Sequence, residues 1–464
     1  MKKIIITLLL LVLFSALLVS CNEPSSPEIT DTVTVETDAE SENETEAIEK
    51  TDFELKCVGK EHSIEMSWTK VDGADKYEIY ANTDGGENFE ALGQLPRTSF
   101  NYKNLQWGKT YSFYIKALKD GRPVAKSNVC EVSVAGVRVN GLAPKDDVMT
   151  VYAQQVGSEK SDGFVVSVNG EIYIIDSGRS GDTQVNDYLM SLRKKWLEMG
   201  GMSELENDKN AKLAVNFIIS HSHADHVNAV PEIIENTFLS VERVYAPVRS
   251  YLGTEGVDGA IPRLVKCEDR IDTVKAKLSA FGHGASSVTH VPFGEHISVE
   301  LENSDARLDL YPALFDWSET RDSALEGWKY ILSTAKNDEL TYTNTILNWN
   351  CLWAKFTNGK QSVLFTGDTG DSTNVINKMM DYYGAENFDC DVLKYIHHGE
   401  VRYSSYLTQM TSPKVTLFTA VDGTANKNAY SSSLLAGDVY MLCKGDLTLT
   451  LDGKSIKAEG ISPE

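Results

Sequence analysis

The stretch His221-Ser222-His223-Ala224-Asp225-His226 decides how this chain is read. With 9 histidines in 464 residues, a chance H-x-H-x-D-H is expected on the order of once in several thousand chains of this composition. Three imidazoles so close together repel one another when charged, and each is costly to bury without a partner. A bound cation removes both difficulties. Neutral imidazole beside carboxylate suits Zn²⁺, with Mn²⁺ or Fe²⁺ less favoured. The hexapeptide follows Leu213–Ile219, which is apolar except for Asn216 and reads as a strand delivering the motif at its C-terminal end.

Upstream, Phe164–Val168 and Glu171–Ile175 read as a hairpin turning through Asn169-Gly170 and closing on Asp176-Ser177-Gly178. Asp182–Met199 carries Val185, Leu189, Leu192 and Trp196 at helical spacing. Downstream, Gln361–Thr366 reads as a strand running into Gly367-Asp368, and Asp391–Ile396 as one ending in His397-His398-Gly399. Either motif alone is an ordinary turn or polar surface; in this order after the hexapeptide they support one another. His283, His290 and His296 lie between and are alternative ligands, although each also reads as an ordinary surface or hydrogen-bonded histidine. Lys394, Arg402 and Tyr403 flank the histidine pair and either contact a phosphate or face solvent. The charged segment Asp316–Tyr342, with Trp317, Trp328 and Tyr330, reads as a surface excursion or a lid.

The runs "SDGFVVSVNGEIYIIDSG", "HSHADH", "NWNCLWAKFTNGKQSVLFTGD" and "DVLKYIHHG" resemble, in order, the metallo-β-lactamase superfamily. Within it they are most similar to the ComEC-type domain of DNA-uptake proteins and its free-standing hydrolase relatives, over about 150 to 455. The resemblance implies an α/β fold, an αββα sandwich with its site at the strand ends. It further implies two metal ions, zinc with manganese as the alternative: one on His221 and His223, the other on Asp225, His226 and one of His397 or His398, with Asp368 bridging them. Asp225 would orient the attacking water, the remaining histidine of the His397/His398 pair would serve the leaving group, and Asp176 would hold a ligand histidine from behind. Asn348-Trp349-Asn350-Cys351 matches the family's N-x-x-S with Cys for Ser, leaving Asn348, Asn350 and Lys394 as supporting or substrate-facing candidates. The implied activity is hydrolysis by a metal-activated water, foremost of a phosphodiester in nucleic acid, teichoic acid or a small molecule. Glu400, standing where the family has Ser, adds negative charge that counts against a polyanion. A carboxylic ester, lactone or β-lactam hydrolase is the alternative at the same site, and a non-catalytic surface-binding protein the alternative of another class.

Working outward, length predicts two or three domains. Short alternating runs at Ser63–Trp68, Lys76–Tyr80, Thr110–Ala117 and Val129–Val134 predict a β-sandwich. Trp68, Tyr77, Tyr80, and Leu105 six positions before Tyr111 make residues 52–137 resemble a fibronectin type III domain, a spacer or a binder of cell-surface components. Val137–Asp147 reads as a linker, and the hydrolase domain as residues 146–464. At the N-terminus, Lys2 and Lys3 precede an apolar run to Val19, and Leu18-Val19-Ser20-Cys21 resembles a lipoprotein lipobox. Residues 1–21 then form a signal peptide with Cys21 as the lipidated anchor, residues 22–51 an acidic disordered tether, and the rest lies on the extracellular face of the membrane. The net charge of −23 excludes non-specific wrapping of nucleic acid. Seven Cys are too few for a disulfide-built scaffold, although Cys57 and Cys130 could pair across the small domain, and the absence of C-x-x-C removes a zinc ribbon.

Overall fold

The computed structural model describes residues 51–463 except 61–62, 84–87, 104, 106–108, 135, 251–260, 282, 286, 302–303, 313–338, 370–372, 400–404, 423 and 425–436. Cys21, the acidic tether, Glu400, Arg402, Tyr403 and most of the Asp316–Tyr342 segment therefore lie outside the described residues. Among the described residues no helix is long and apolar enough to cross a membrane. The chain divides into two compact units, the first ending at Ser133 and the second running from Val134.

In the first unit, alternation of apolar and polar residues sends every second side chain inward. Ser63–Trp68 buries Ile64, Met66 and Trp68, and Thr110–Lys119 buries Tyr111, Phe113, Ile115 and Ala117. The antiparallel set Leu55–Lys60, Ser63–Trp68 and Ser99–Lys103 forms one sheet; Lys76–Asn82 and Thr110–Lys119 lie at the centre of the other. Trp68 meets Tyr77 edge-on at 5.6 Å, and Leu105 and Tyr111 are both buried. Tyr80, three residues from Tyr77, faces the opposite way and stacks on Tyr114 at 4.6 Å. Cys57 and Cys130 are free thiols in hydrogen-bond reach of each other; burial first, then Cys130, pushes the Cys57 thiol up.

The second unit stacks two mixed sheets. The larger has the order Thr289–Val291, Leu239–Pro247, Ala211–Ile218, Glu171–Asp176, Gly163–Val168, Met149–Ala153, Leu447–Leu451, Ile456–Glu459. The other runs Ile297–Glu300, Ala306–Pro312, Leu352–Asn358, Gln361–Phe365, Val392–Lys394, Val415–Phe418, Asp438–Met441. Each changes from antiparallel to parallel pairing midway. Phe164 against Phe365 and Tyr173 against Phe356 belong to the apolar layer between the sheets. Helices Gln184–Met199, Val230–Ile234 and Pro262–Phe281 cover the outer face of the larger sheet, and Thr373–Tyr383 and Ser405–Thr411 that of the smaller. With both faces covered, Ala211–Ile218 and Gly163–Val168 are buried throughout, which is why they are mainly apolar, interrupted only by Lys212 and Asn216 in the first and Ser167 in the second. The hairpin turn has Asn169 at φ 48 and Gly170 at φ 91, the left-handed pair that a two-residue turn needs.

Val137–Asp147 is not a linker. Val137–Arg138 pairs in parallel with Ala211 and Lys212. The Asn140 side chain, itself buried, donates to Gly170 O at 2.6 Å and Ala214 O at 2.9 Å and accepts from Ala214 N–H at 2.6 Å. One amide thus satisfies backbone groups of two strands, and the second unit begins well before residue 146. Composition alone, with Gly, Pro and charge, concealed this. Replacing Asn140 with Leu leaves those groups unpaired and is expected to lower unfolding free energy by about 2 to 4 kcal/mol, read by urea denaturation.

Candidate metal centre

The site forms at the C-terminal ends of the parallel strands, where open α/β sheets present their loops. Asp176 ends Glu171–Asp176, the hexapeptide follows Ala211–Ile218, Gly367-Asp368 follows Gln361–Phe365, and His397-His398 follow Val392–Lys394. Two donor groups emerge, His221, His223 and Asp368 in one, and Asp162, His226, Asp368 and His398 in the other. Asp368 is common to both.

In the first group His221 Nε2 lies 2.9 Å from His223 Nδ1. In the second, His226 Nε2 and His398 Nε2 lie 3.2 and 3.0 Å from Asp368 Oδ2, and His398 Nε2 lies 3.5 Å from Asp225 Oδ2. Such separations suit donors sharing an ion at about 2 Å. Asp162 does not share that role, because both its oxygens are engaged elsewhere: Oδ1 meets His398 Nδ1 at 3.0 Å and Oδ2 pairs with Lys394 Nζ. Asp176 does the same for His226, with Oδ2 2.7 Å from Nδ1, and accepts from Ser220 N–H and Ser220 Oγ at 2.8 and 2.6 Å. A carboxylate on Nδ1 holds the proton there and turns the Nε2 lone pair toward the centre. Ser220 Oγ lies 3.0 Å from His221 Nδ1, and Thr419 Oγ1 2.8 Å from His398 Nδ1.

The inward nitrogens His226 Nε2 and His398 Nε2, and His223 Nε2 and His397 Nδ1 beside them, are buried without a hydrogen-bond partner. Orphaned imidazole nitrogens around a shared carboxylate fit a divalent cation of borderline hardness. The electrostatics agree. Burial holds His221 well below its ordinary value and His223 down to about 4, so both are neutral donors. At His226 and His398 burial opposes charge, but Asp368 leads the neighbouring carboxylates in overriding it, lifting His226 well above its ordinary value and His398 to about 10. Asp368, whose burial would raise it, is instead held well below the carboxylate range by His398, His226 and Lys394. The carboxylates demand positive charge at this point.

The sequence-predicted residues divide. His221, His223, Asp225, His226, Asp368 and His398 converge, with Asp176 behind them. His397 stands at the rim, 24% exposed, its Nε2 4.0 Å from Asp368 Oδ2. Lys394 is not a solvent-facing phosphate contact: it is fully buried, donates to Gly367 O at 2.9 Å and lies 3.4 Å from Asp368 Oδ1. Asn348 and Asn350 are also buried; Asn350 Nδ2 donates to Val248 O, and Leu352 N–H ties the segment to Ser220 O. His283 bonds Ile234 O and Val241 N–H, His290 bonds Pro247 O and His296 bonds Asp309, so all three are committed elsewhere. Asp162 was missed, although an acid just before the mainly apolar strand Gly163–Val168 was the available signal. Ser220 and Thr419 carried none.

Asp176, His397 and His398 all have positive φ, at 55, 44 and 59. Such conformations cost free energy in non-glycine residues and cluster where side chains are aimed for function. Gly399 follows at φ 84, where a Cβ would overlap the Phe418 ring, so no larger residue completes this turn.

Residues 51–133 match the fibronectin type III domain family and form such a domain. Solved structures similar to parts of the chain include a β-1,2-glucanase from Parabacteroides distasonis, 14% identical, covering 20% of this chain and 14% of its own, with TM-score 0.17. The structure described as FN3tt is 20% identical over 18% of this chain and 88% of its own, with TM-score 0.15. A protein of unknown function from Enterococcus faecalis V583 is 10% identical over 53% of this chain and 49% of its own, with TM-score 0.26. This chain thus spans a small part of the glucanase, and likenesses of this size leave the fold of the second unit undefined. No curated protein matches the chain.

Replacing Asp162 or Asp176 with Asn weakens the hold on His398 or His226 without removing an inward donor. Zinc affinity is expected to fall about 10- to 100-fold in either variant, measured by competition with a chromophoric chelator.

Proposed function

We propose that the second unit is a metal-dependent hydrolase of the metallo-β-lactamase superfamily, closest to the ComEC-type domain, and that it cleaves phosphodiesters. The observation that carries the reading is Asp368, common to a His221/His223 group and a His226/His398 group, which suits two neighbouring divalent ions. The layering of helices outside two facing mixed sheets supports the same superfamily.

His221 and His223 would hold one ion, Asp225, His226 and His398 the other, and Asp368 both. When bound, such ions supply Lewis acidity toward an ester oxygen and lower the pKa of water into the neutral range. The chain does the rest. Asp176 and Asp162 keep the protons of His226 and His398 on Nδ1, so each Nε2 faces inward. Asp225, held well below the carboxylate range by His398 and His226 against its own burial, is ionised and would accept a hydrogen bond that orients an attacking water. His397, half-buried at the rim, stands where it can give a proton from Nε2 to a leaving oxygen. The N-terminal run ending in Cys21 supports display on the outer face of a bacterial membrane through a lipid anchor, with the fibronectin type III domain between anchor and enzyme.

The test is turnover of bis-p-nitrophenyl phosphate, single-stranded DNA, a lactone and nitrocefin by the zinc- or manganese-loaded protein. Phosphodiester cleavage is expected, with Asp368→Ala losing at least about a thousandfold through loss of both metal and turnover. Turnover confined to lactone or nitrocefin makes the enzyme a carboxylic ester or β-lactam hydrolase, and full metal occupancy with no turnover on any of the four removes the catalytic reading.

A further inference from the structure

Arg179 is a cation at the mouth of the centre that the chemistry above does not use. It lies just beyond Glu171–Asp176, and its side chain is one-third exposed. Nη2 lies 3.8 Å from Asp225 Oδ2, the oxygen that faces His398 Nε2. Nε donates to the Lys160 carbonyl at 3.0 Å, and Nη1 meets Glu159 at 3.0 Å. Three partners therefore fix the plane of the guanidinium beside the inward donors. Glu159 is largely exposed, so its pair with Arg179 contributes little and is readily exchanged for another anion.

Cations are scarce in this chain, 44 against 67 acids, and the centre itself is lined by Asp162, Asp176, Asp225 and Asp368. A neutral ester needs no further positive charge at such an opening. A phosphodiester brings two non-bridging oxygens that share one negative charge, which a guanidinium fork matches in geometry and in sign.

We infer that Arg179 forms an anion-selecting rim that binds the non-bridging oxygens of a phosphodiester and sets the preference of the site for anionic over neutral esters. The inference rests on the hydrolase reading and narrows its substrate class.

The experiment uses the zinc-loaded full chain with Arg179→Ala and Arg179→Lys, zinc content being measured for each. Inorganic phosphate binding by calorimetry tests the rim directly, whether or not the protein turns over. Arg179→Ala is expected to bind phosphate about tenfold or more weakly, with Arg179→Lys between it and the parent, as loss of one charge-assisted hydrogen bond implies. In turnover, bis-p-nitrophenyl phosphate should lose about tenfold more kcat/KM than p-nitrophenyl acetate, chiefly through KM. Unchanged phosphate binding at full zinc content, or equal losses on the two esters, overturns the rim. Phosphate binding that depends on Arg179 in a protein that hydrolyses neither ester upholds the rim and removes the hydrolase reading.

Discussion

The burial of Asp368 is the constraint on which the rest of the centre depends. An ionised carboxylate removed from water costs several kcal/mol unless cations and donors surround it. Here His398, His226 and Lys394 lie within 3.4 Å. Each of those cations must in turn be aimed, and the aiming brings in further acids: Asp162 for His398 and Lys394, Asp176 for His226. One buried charge thus recruits three more carboxylates when Asp225 is counted. Two divalent ions together with Lys394 would carry five positive charges against these four, close to neutrality.

The fold meets that constraint with backbone. Parallel strands of both sheets end at one edge, so their loops can meet, and the layers of helix outside them keep the strands buried and their ends fixed. The final aim comes from three residues in left-handed conformations, Asp176, His397 and His398. At the His pair this turn sends His398 inward and leaves His397 at the rim, which spacing along a strand would not do.

Much of this was legible in the sequence, for identifiable reasons. The hairpin pattern around Asn169-Gly170 and the largely apolar run Leu213–Ile219 gave Gly163–Val168 and Ala211–Ile218 to within two residues, and Trp68 with Leu105 and Tyr111 gave the fibronectin type III domain. The hexapeptide, Asp368 and the His pair named the converging side chains because metal chemistry restricts residue type. The remainder depended on direction and depth, which composition does not encode. Lys394 looked like a surface cation because nothing local says that two acids lie beneath it. Asp162 and Asn140 were passed over because their partners are respectively hundreds and tens of residues away, and the choice between His397 and His398 rested on a turn of positive φ. Tyr77 and Tyr80 share a strand but not a face, since an odd spacing reverses the side.

Donors in both groups come from the two sheets alike: His221, His223 and His226 follow strands of the larger, Asp368 and His398 strands of the smaller. Neither half of the sandwich can hold an ion by itself. An occupied centre therefore acts as a clasp across the interlayer seam, and any process that parts the layers, from thermal opening to proteolytic nicking, must first release the metal. The supply of a divalent cation that fits the centre would then govern how long the folded protein lasts, because a ligand that binds only the closed form adds its binding free energy to stability.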